Sequence, residues 1–466
     1  MKKIVIYICC MLIFSIIVIG CGSDTEDITK ETESTKNTEF KDMQGARFIF
    51  GTIRPTEFFQ DEGYSSWGDN MRKRYRDVAE KFNCAFDVIT LTVDACAPLI
   101  MSAVAVMTDV PDFIDCNSDS GYILYKESAL VAYDDMTTLK ISDSRWGPAS
   151  FRANGIYNGK SYGVFTYDWE FLPQIKGIML INNPLIRKNG MTDPYEMQEK
   201  KAWNWENFKQ ELIKGTYDDG ENKYIGMTCE ELNKLALVSA LSNGARLVSE
   251  NEAGNKYFAF DTPEAIQGFE FAASLNSENL IKTFTGQMVD FTGGSLESDG
   301  LASYLFGSSW LGTVHASGHE YLPSFLMKEY GFINFPNGPL ADENNVSSYI
   351  GNERLIWCIG PGENEPDDKG MIMNYVFSPV DGSEKEGWKA LAKSQIFHHP
   401  QDFNNFLYMI ANSSYNYDTQ LGPDIATKLG IAYTKIINNQ ATPAAAMESV
   451  ADAVNAQLAV EFSNAE

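Results

Sequence analysis

"ARFIFGTIRPTEFFQDEGYSSWGDNMRKRYRDVAEKFNCAFDVITL", residues 46–91, decides the fold class. Its first seven residues form a short apolar run that ends in Gly51-Thr52, as a buried strand does. From 70 to 82, Met71, Tyr75, Val78, Ala79 and Phe82 recur at helical spacing while Arg and Lys take other positions, which predicts an amphipathic helix. Residues 85–91 read as a second strand, 97–107 as a second helix and 111–116 as a third strand. Strand and helix in alternation predict a mainly parallel sheet with helices on its faces.

Further along the chain, helix starts are explicit. Asn204 is placed to cap a helix over 204–213, with Phe208, Leu212 and Ile213 facing inward. Thr262-Pro263 and Thr442-Pro443 repeat one device, since proline at the first helical position has a preset φ and no N–H to leave unbonded. Ile266, Phe269 and Ala273 form the stripe of the first of these helices. Met447, Val450, Val454 and Leu458 form that of the second.

The chain has 466 residues, 44% apolar and 12% aromatic. Its 37 Lys and Arg against 63 Asp and Glu give a net charge of −26, which argues against nucleic acid, whose phosphates require basic surfaces. Lys2 and Lys3 precede a mostly apolar stretch from Ile4 to Ile19, the pattern of a secretory signal. It is short for a membrane-spanning helix, which needs ~20 apolar residues. Val18-Ile19-Gly20-Cys21 resembles a bacterial lipobox, which implies removal of 1–20 and a lipid on the Cys21 thiol. Residues 21–45 then serve as a flexible tether, polar from Gly22 to Asn37 apart from Ile28 and too poor in apolar surface to offset the entropy of ordering. Of eight cysteines, Cys9 and Cys10 leave with the signal. Cys84, Cys96, Cys116, Cys229 and Cys358 remain, widely spaced with no CxxC pair, and read mostly as buried small hydrophobes; a Cys84–Cys96 bridge stays open.

Residues 157–210 carry a resemblance. Asn158-Gly159-Lys160-Ser161-Tyr162-Gly163 is followed by Leu180-Ile181-Asn182-Asn183, Asn189-Gly190-Met191 and Trp205-Glu206-Asn207-Phe208. In this order they resemble the extracellular solute-binding proteins of ABC importers, family 1, the sugar-binding type. "SALSNGARLVSE" (239–250), "FDTPEAIQGFEF" (260–271), "ASYLFGSSWLG" (302–312) and "INFPNGPL" (333–340) resemble further segments of that family, while 360–382 and "VFTYDW" depart from it. The resemblance implies an α/β, two-lobed periplasmic-binding-protein-like fold of type II. Its lobes are discontinuous and joined by a hinge, with a ligand cleft between them. The expected lobes are 45–165 with 345–405, and 166–344 with 406–466.

A sugar site needs flat apolar faces and a few placed polar groups. "TIRPTEFF" (52–59) follows the first strand, where ligands of open α/β sheets collect, and offers Arg54 and Glu57. "DCNSDSGY" (115–122) offers Asp119, where the family often places a polar sugar contact. It departs from a calcium loop at Ser120 and Lys126. "FTYDWE" (165–170), at the expected first crossover, joins two rings and a carboxylate in Tyr167, Asp168 and Trp169. Trp310 stands where the family commonly places a stacking tryptophan. Asn352, Glu353, Trp67 and Tyr417 are weaker candidates.

No enzyme is expected. His315 and His319 are four apart but lack the glutamate of the HExxH zinc motif, and "GSSWLG" is not GxSxG. Neither a cofactor nor a metal is expected. The resemblance implies a monomeric lipoprotein on the extracellular face of a bacterial cell membrane. It would capture a carbohydrate, of oligosaccharide type, and deliver it to the permease subunits. The alternatives are a binding protein for another polar solute, or a surface adhesin or sensor partner outside transport. Cys21→Ser should abolish lipidation and release the chain from membranes; intact-mass analysis of the native protein, finding Cys21 unmodified, would refute the anchor.

Overall fold

A computed structural model of the chain describes residues 40–53, 63, 66–166, 173–283, 301–308, 329–351, 355–378, 388–393, 397, 399–415 and 417–462. The chain divides into the units Met1–Lys41 and Asp42–Glu466. Of the first only Phe40 and Lys41 are described.

Within the second unit the strand–helix alternation of 46–117 builds one sheet. Among the described residues its five strands run in the order Cys84–Thr90, Ala46–Thr52, Phe113–Asn117, Leu355–Ile359, Gly163–Val164. The first three are parallel, as expected. The last two are antiparallel to their neighbours, so the sheet is mixed rather than mainly parallel. Side chains alternate across the pleat, and both faces are covered. Phe48, Phe50, Phe113, Trp357 and Ile359 meet the helix Ser66–Phe82 through its stripe of Met71, Tyr75, Val78 and Phe82. Ile114, Cys116, Ile356 and Cys358 form the opposite core with Cys96, Ala97 and Ile100 of the helix Cys96–Val106. All five described cysteines are free, so the Cys84–Cys96 bridge left open by the sequence is not formed.

One buried ion pair fastens the late strand to the early ones. Lys369 Nζ lies 3.3 Å from Asp112 Oδ1, with side chains 1% and 2% exposed. The ammonium also donates to the carbonyls of Gly360 and Gly362 at 2.9 and 2.7 Å. Asp112 Oδ2 accepts from Ile49 N at 2.9 Å and Asn364 Nδ2 at 3.1 Å. Burial pushes the Lys369 amine below its ordinary value, and the Asp112 carboxylate opposes that shift.

Among the described residues the second sheet has eight strands. Its path runs Ile281–Thr283, Lys223–Cys229, Ala302–Ser308, Lys176–Asn182, Tyr349–Ile350, Ser414–Tyr415; Tyr330–Asn334 also pairs with Lys176–Asn182, and Tyr217–Asp218 with Lys223–Cys229. Helices Leu232–Ser242, Pro263–Ser277, Asp418–Ile437 and Pro443–Phe462 share one core with this sheet. The second face is closed by Trp388 and by Phe406, Met409 and Ile410 of the helix Asp402–Asn412.

Part of the span 345–405, expected in the first lobe, packs on the second sheet. Tyr349 pairs with Lys176, and Trp388 and Ala392 are buried against the second sheet. Among the described residues of that span, 355–378 supply the strand and the helix Pro366–Val376 on the first sheet. Local expectations mostly hold. Asn204 Oδ1 accepts from Asn207 N at 3.0 Å, and Thr442 Oγ1 accepts from Ala445 N at 3.3 Å. Two do not. Thr262 precedes its helix without a side-chain cap, because its hydroxyl donates back to Ala259 O at 3.3 Å. Ile213 is 45% exposed, since the inward stripe of Trp205–Gly215 is carried by Phe208 and Leu212.

Lys369→Ala leaves a buried carboxylate without its counter-charge and should cost about 3–5 kcal/mol. Asp112→Asn with Lys369→Met should cost less than that single change. Urea midpoints at unchanged slope measure both.

Candidate functional site

In open α/β sheets, loops beyond the carboxyl ends of parallel strands form the ligand crevice. On the first sheet that edge carries Thr52, Asp115 and Asn117. Thr52 Oγ1 donates to Asp115 Oδ2 at 2.7 Å, and both residues are buried. Asn117 caps the helix Ser118–Lys126, its Oδ1 accepting from Ser120 N at 2.9 Å. Asp115 and Asn117 are thus both engaged within the protein. Asp119, on the first turn of that helix, is half-buried. Its Oδ1 accepts from Thr419 Oγ1 at 3.0 Å, across to the helix Asp418–Ile437 of the second core.

On the second sheet the corresponding edge brings together Lys176, Gly177, Glu230, Glu231, Lys234 and Tyr349 around one depression. Lys176 Nζ lies 3.4 Å from Glu231 Oε1. Glu230 N donates to Phe306 O at 2.9 Å, holding the turn that follows the strand Lys223–Cys229. Gly177 is required here. Its φ is +77°, and an added Cβ would stand 2.8 Å from Val238 Cγ2 and 3.2 Å from the Ser347 carbonyl. The edge therefore gathers Lys176, Glu230, Glu231 and Lys234 around a small depression over a tightly packed backbone.

Glu57, Tyr167, Asp168, Trp169, Trp310 and Asn352, with Arg54 and Glu353, lie outside the described residues, as does Cys21. The side chain of Trp67 does too. Tyr417 is described: it has φ +58°, its ring is 4.8 Å from that of Tyr415 and 6.1 Å from that of Phe462, and Lys256 Nζ stands 5.7 Å above it. Those contacts pack it, partly buried, against the second core. Sequence reading missed Lys176, Glu230, Glu231 and Lys234. Applying the strand-end rule to the second sheet, where Glu230 and Glu231 directly follow Cys229, would have found the two glutamates. Among the described residues, no group of three His, Cys, Asp or Glu side chains could hold a metal ion. No described helix is long and apolar enough to cross a membrane.

No protein-family model and no curated relative matches the chain. Solved structures do. The sugar-binding protein MalE from Xanthomonas citri superposes with a TM-score of 0.64 at 13% identity, over 89% of this chain and 98% of its own. The GacH receptor of Streptomyces glaucescens, solved unliganded and with acarbose, gives 0.61 at 12% identity over 89% and 98%. The MalE maltodextrin-binding domain of Bdellovibrio bacteriovorus, bound to maltotriose, gives 0.57 at 13% over 89% and 100%.

Gly177→Ala should destabilise the protein by roughly 1–3 kcal/mol through its left-handed backbone and the crowded Cβ. Thermal unfolding of the variant checks this.

Proposed function

We propose, from a two-lobed α/β fold shared with sugar-binding substrate-binding proteins, that this chain captures a carbohydrate between its lobes and delivers it to an ABC permease. It works outside the cell as a monomer, held to the membrane through a lipid on Cys21, and carries out no chemistry. The first lobe comprises 45–165 with 355–378, and the second the remainder from 166 to 462. Ligand contacts come from Glu57, Asp119, Tyr167, Asp168, Trp169, Trp310 and Asn352, joined on the second sheet by Lys176 and Glu231.

One observation carries the reading. Ser308 and Tyr349 both pair with Lys176. Trp310 follows Ser308 by two residues, and Asn352 follows Tyr349 by three. Chain segments distant in sequence thus leave the described sheet at one point, beside the two glutamates. Aromatic rings supply flat apolar area for the C–H face of a sugar, and carboxylates and ammonium groups bond its hydroxyls. A ligand that touches both lobes shifts the population toward the arrangement in which both sets of contacts are made.

A thermal-shift screen of the full chain against glycans tests the ligand class, because ligand at ~100 times Kd stabilises by ~2.7 kcal/mol. Trp169→Ala and Trp310→Ala should each weaken binding by ~1–3 kcal/mol, tenfold or more in affinity. Both should keep a near-native melting temperature. Early melting with normal binding in both would make them core residues and refute the assignment.

A further inference from the structure

Besides the apolar contact of Phe151 and Phe165 with the second core, a polar stripe links the two cores. Asp119, Tyr122 and Lys126 are spaced three and four apart on the helix Ser118–Lys126, so they share one face. Leu124 buries this helix in the first core. Opposite stand the helices Asp418–Ile437 and Pro443–Phe462 of the second core. Thr419 donates to Asp119 at 3.0 Å. The Tyr122 hydroxyl donates to Glu461 Oε2. Lys126 Nζ lies 3.4 Å from both oxygens of that carboxylate.

Glu461 is held for this role. Its side chain is only 10% exposed although it stands near the end of the last helix. Gln457 Nε2 donates to Glu461 Oε1 at 3.1 Å and to Gln420 O at 3.2 Å, tying the two helices together. Gln420 in turn accepts from the Tyr415 hydroxyl, on the strand Ser414–Tyr415 of the second sheet. Gly422, at φ +76°, breaks the helix Asp418–Ile437 after its first turn, the turn that carries Thr419 and Gln420. Burial, then Glu461, raise the Tyr122 hydroxyl well above its ordinary value, so it stays a neutral donor near pH 7.

We propose that this stripe is a clasp between the lobes, in which Tyr122 and Glu461 hold the described lobe arrangement and set how often the chain leaves it. A polar contact of this kind can open and re-form, because water replaces each hydrogen bond as the lobes part, whereas a large apolar interface would lose its burial. The proposal rests on the two-lobed reading and not on the ligand's identity.

Single-molecule energy transfer on the full, ligand-free chain tests it, with dyes placed through non-natural residues at exposed Glu80 and Glu252, one on each lobe. Glu461→Ala and Tyr122→Phe should each raise the population of a second interlobe distance by about tenfold, the factor set by loss of one charge-assisted hydrogen bond. Glu461→Gln keeps an acceptor for Tyr122 and should shift it less. Lys126→Ala, at the exposed end, should shift the distribution in the same direction even where Glu461→Ala does not fold. Distances identical to wild type in Tyr122→Phe and Lys126→Ala overturn the clasp. A shifted distribution in a chain that binds no glycan supports the clasp and counts against the carbohydrate reading.

Discussion

The Asp112 carboxylate is the knot of the first lobe. It binds the Ile49 amide of an early strand, the Asn364 side chain of a late loop and the Lys369 ammonium of the helix that follows. Two segments far apart in sequence thereby share one acceptor. Without it, the returning segment 355–378 would rest on its antiparallel pairing with Phe113–Asn117 and on its apolar contacts alone. A buried charge pair is weak evidence for net stability, but it is strict about geometry, because each partner is costly when left alone. It therefore selects which loop returns to this sheet and at what register.

The second sheet solves the same problem without charge. Lys176–Asn182 lies at its centre, paired by Ala302–Ser308 on one side and by Tyr330–Asn334 and Tyr349 on the other. Its six residues from Gly177 to Asn182 are all buried. Such a strand must be apolar on both faces, and Gly-Ile-Met-Leu-Ile is. Polar groups are then confined to the strand's ends, and Lys176 at one end is where they gather with Glu230 and Glu231.

Much of this was legible because it is local. The stripe Met71, Tyr75, Val78, Phe82 and the cap Asn204 follow from spacing and side-chain chemistry within one turn or two. The ordered motifs from Asn158 to Phe208 pointed to the two-lobed fold that the solved neighbours share. What escaped was non-local. Nothing near Trp388 in sequence says which of two sheets it covers, since an apolar face fits either. Asp119 stands on a helix that follows a strand, and no local pattern signals its Thr419 partner 300 residues away. Ile213 shows the limit of counting periods, because a stripe one residue too wide puts an isoleucine in water.

The antiparallel strand Leu355–Ile359 has a consequence for the order in which the chain can fold. Its partner Phe113–Asn117 is synthesised about 240 residues earlier. At ~5–20 residues per second the ribosome needs roughly 12–48 s to span that interval. For that time Ala46–Thr52, Cys84–Thr90 and Phe113–Asn117 can form a three-stranded parallel sheet whose Phe113–Asn117 edge is open, with Ile114 and Cys116 not yet covered by Ile356 and Cys358. Open edges of apolar strands recruit other chains. A nascent chain of this design gains from being kept extended until residue 378 has emerged, so its vulnerable period belongs to biosynthesis rather than to the finished protein.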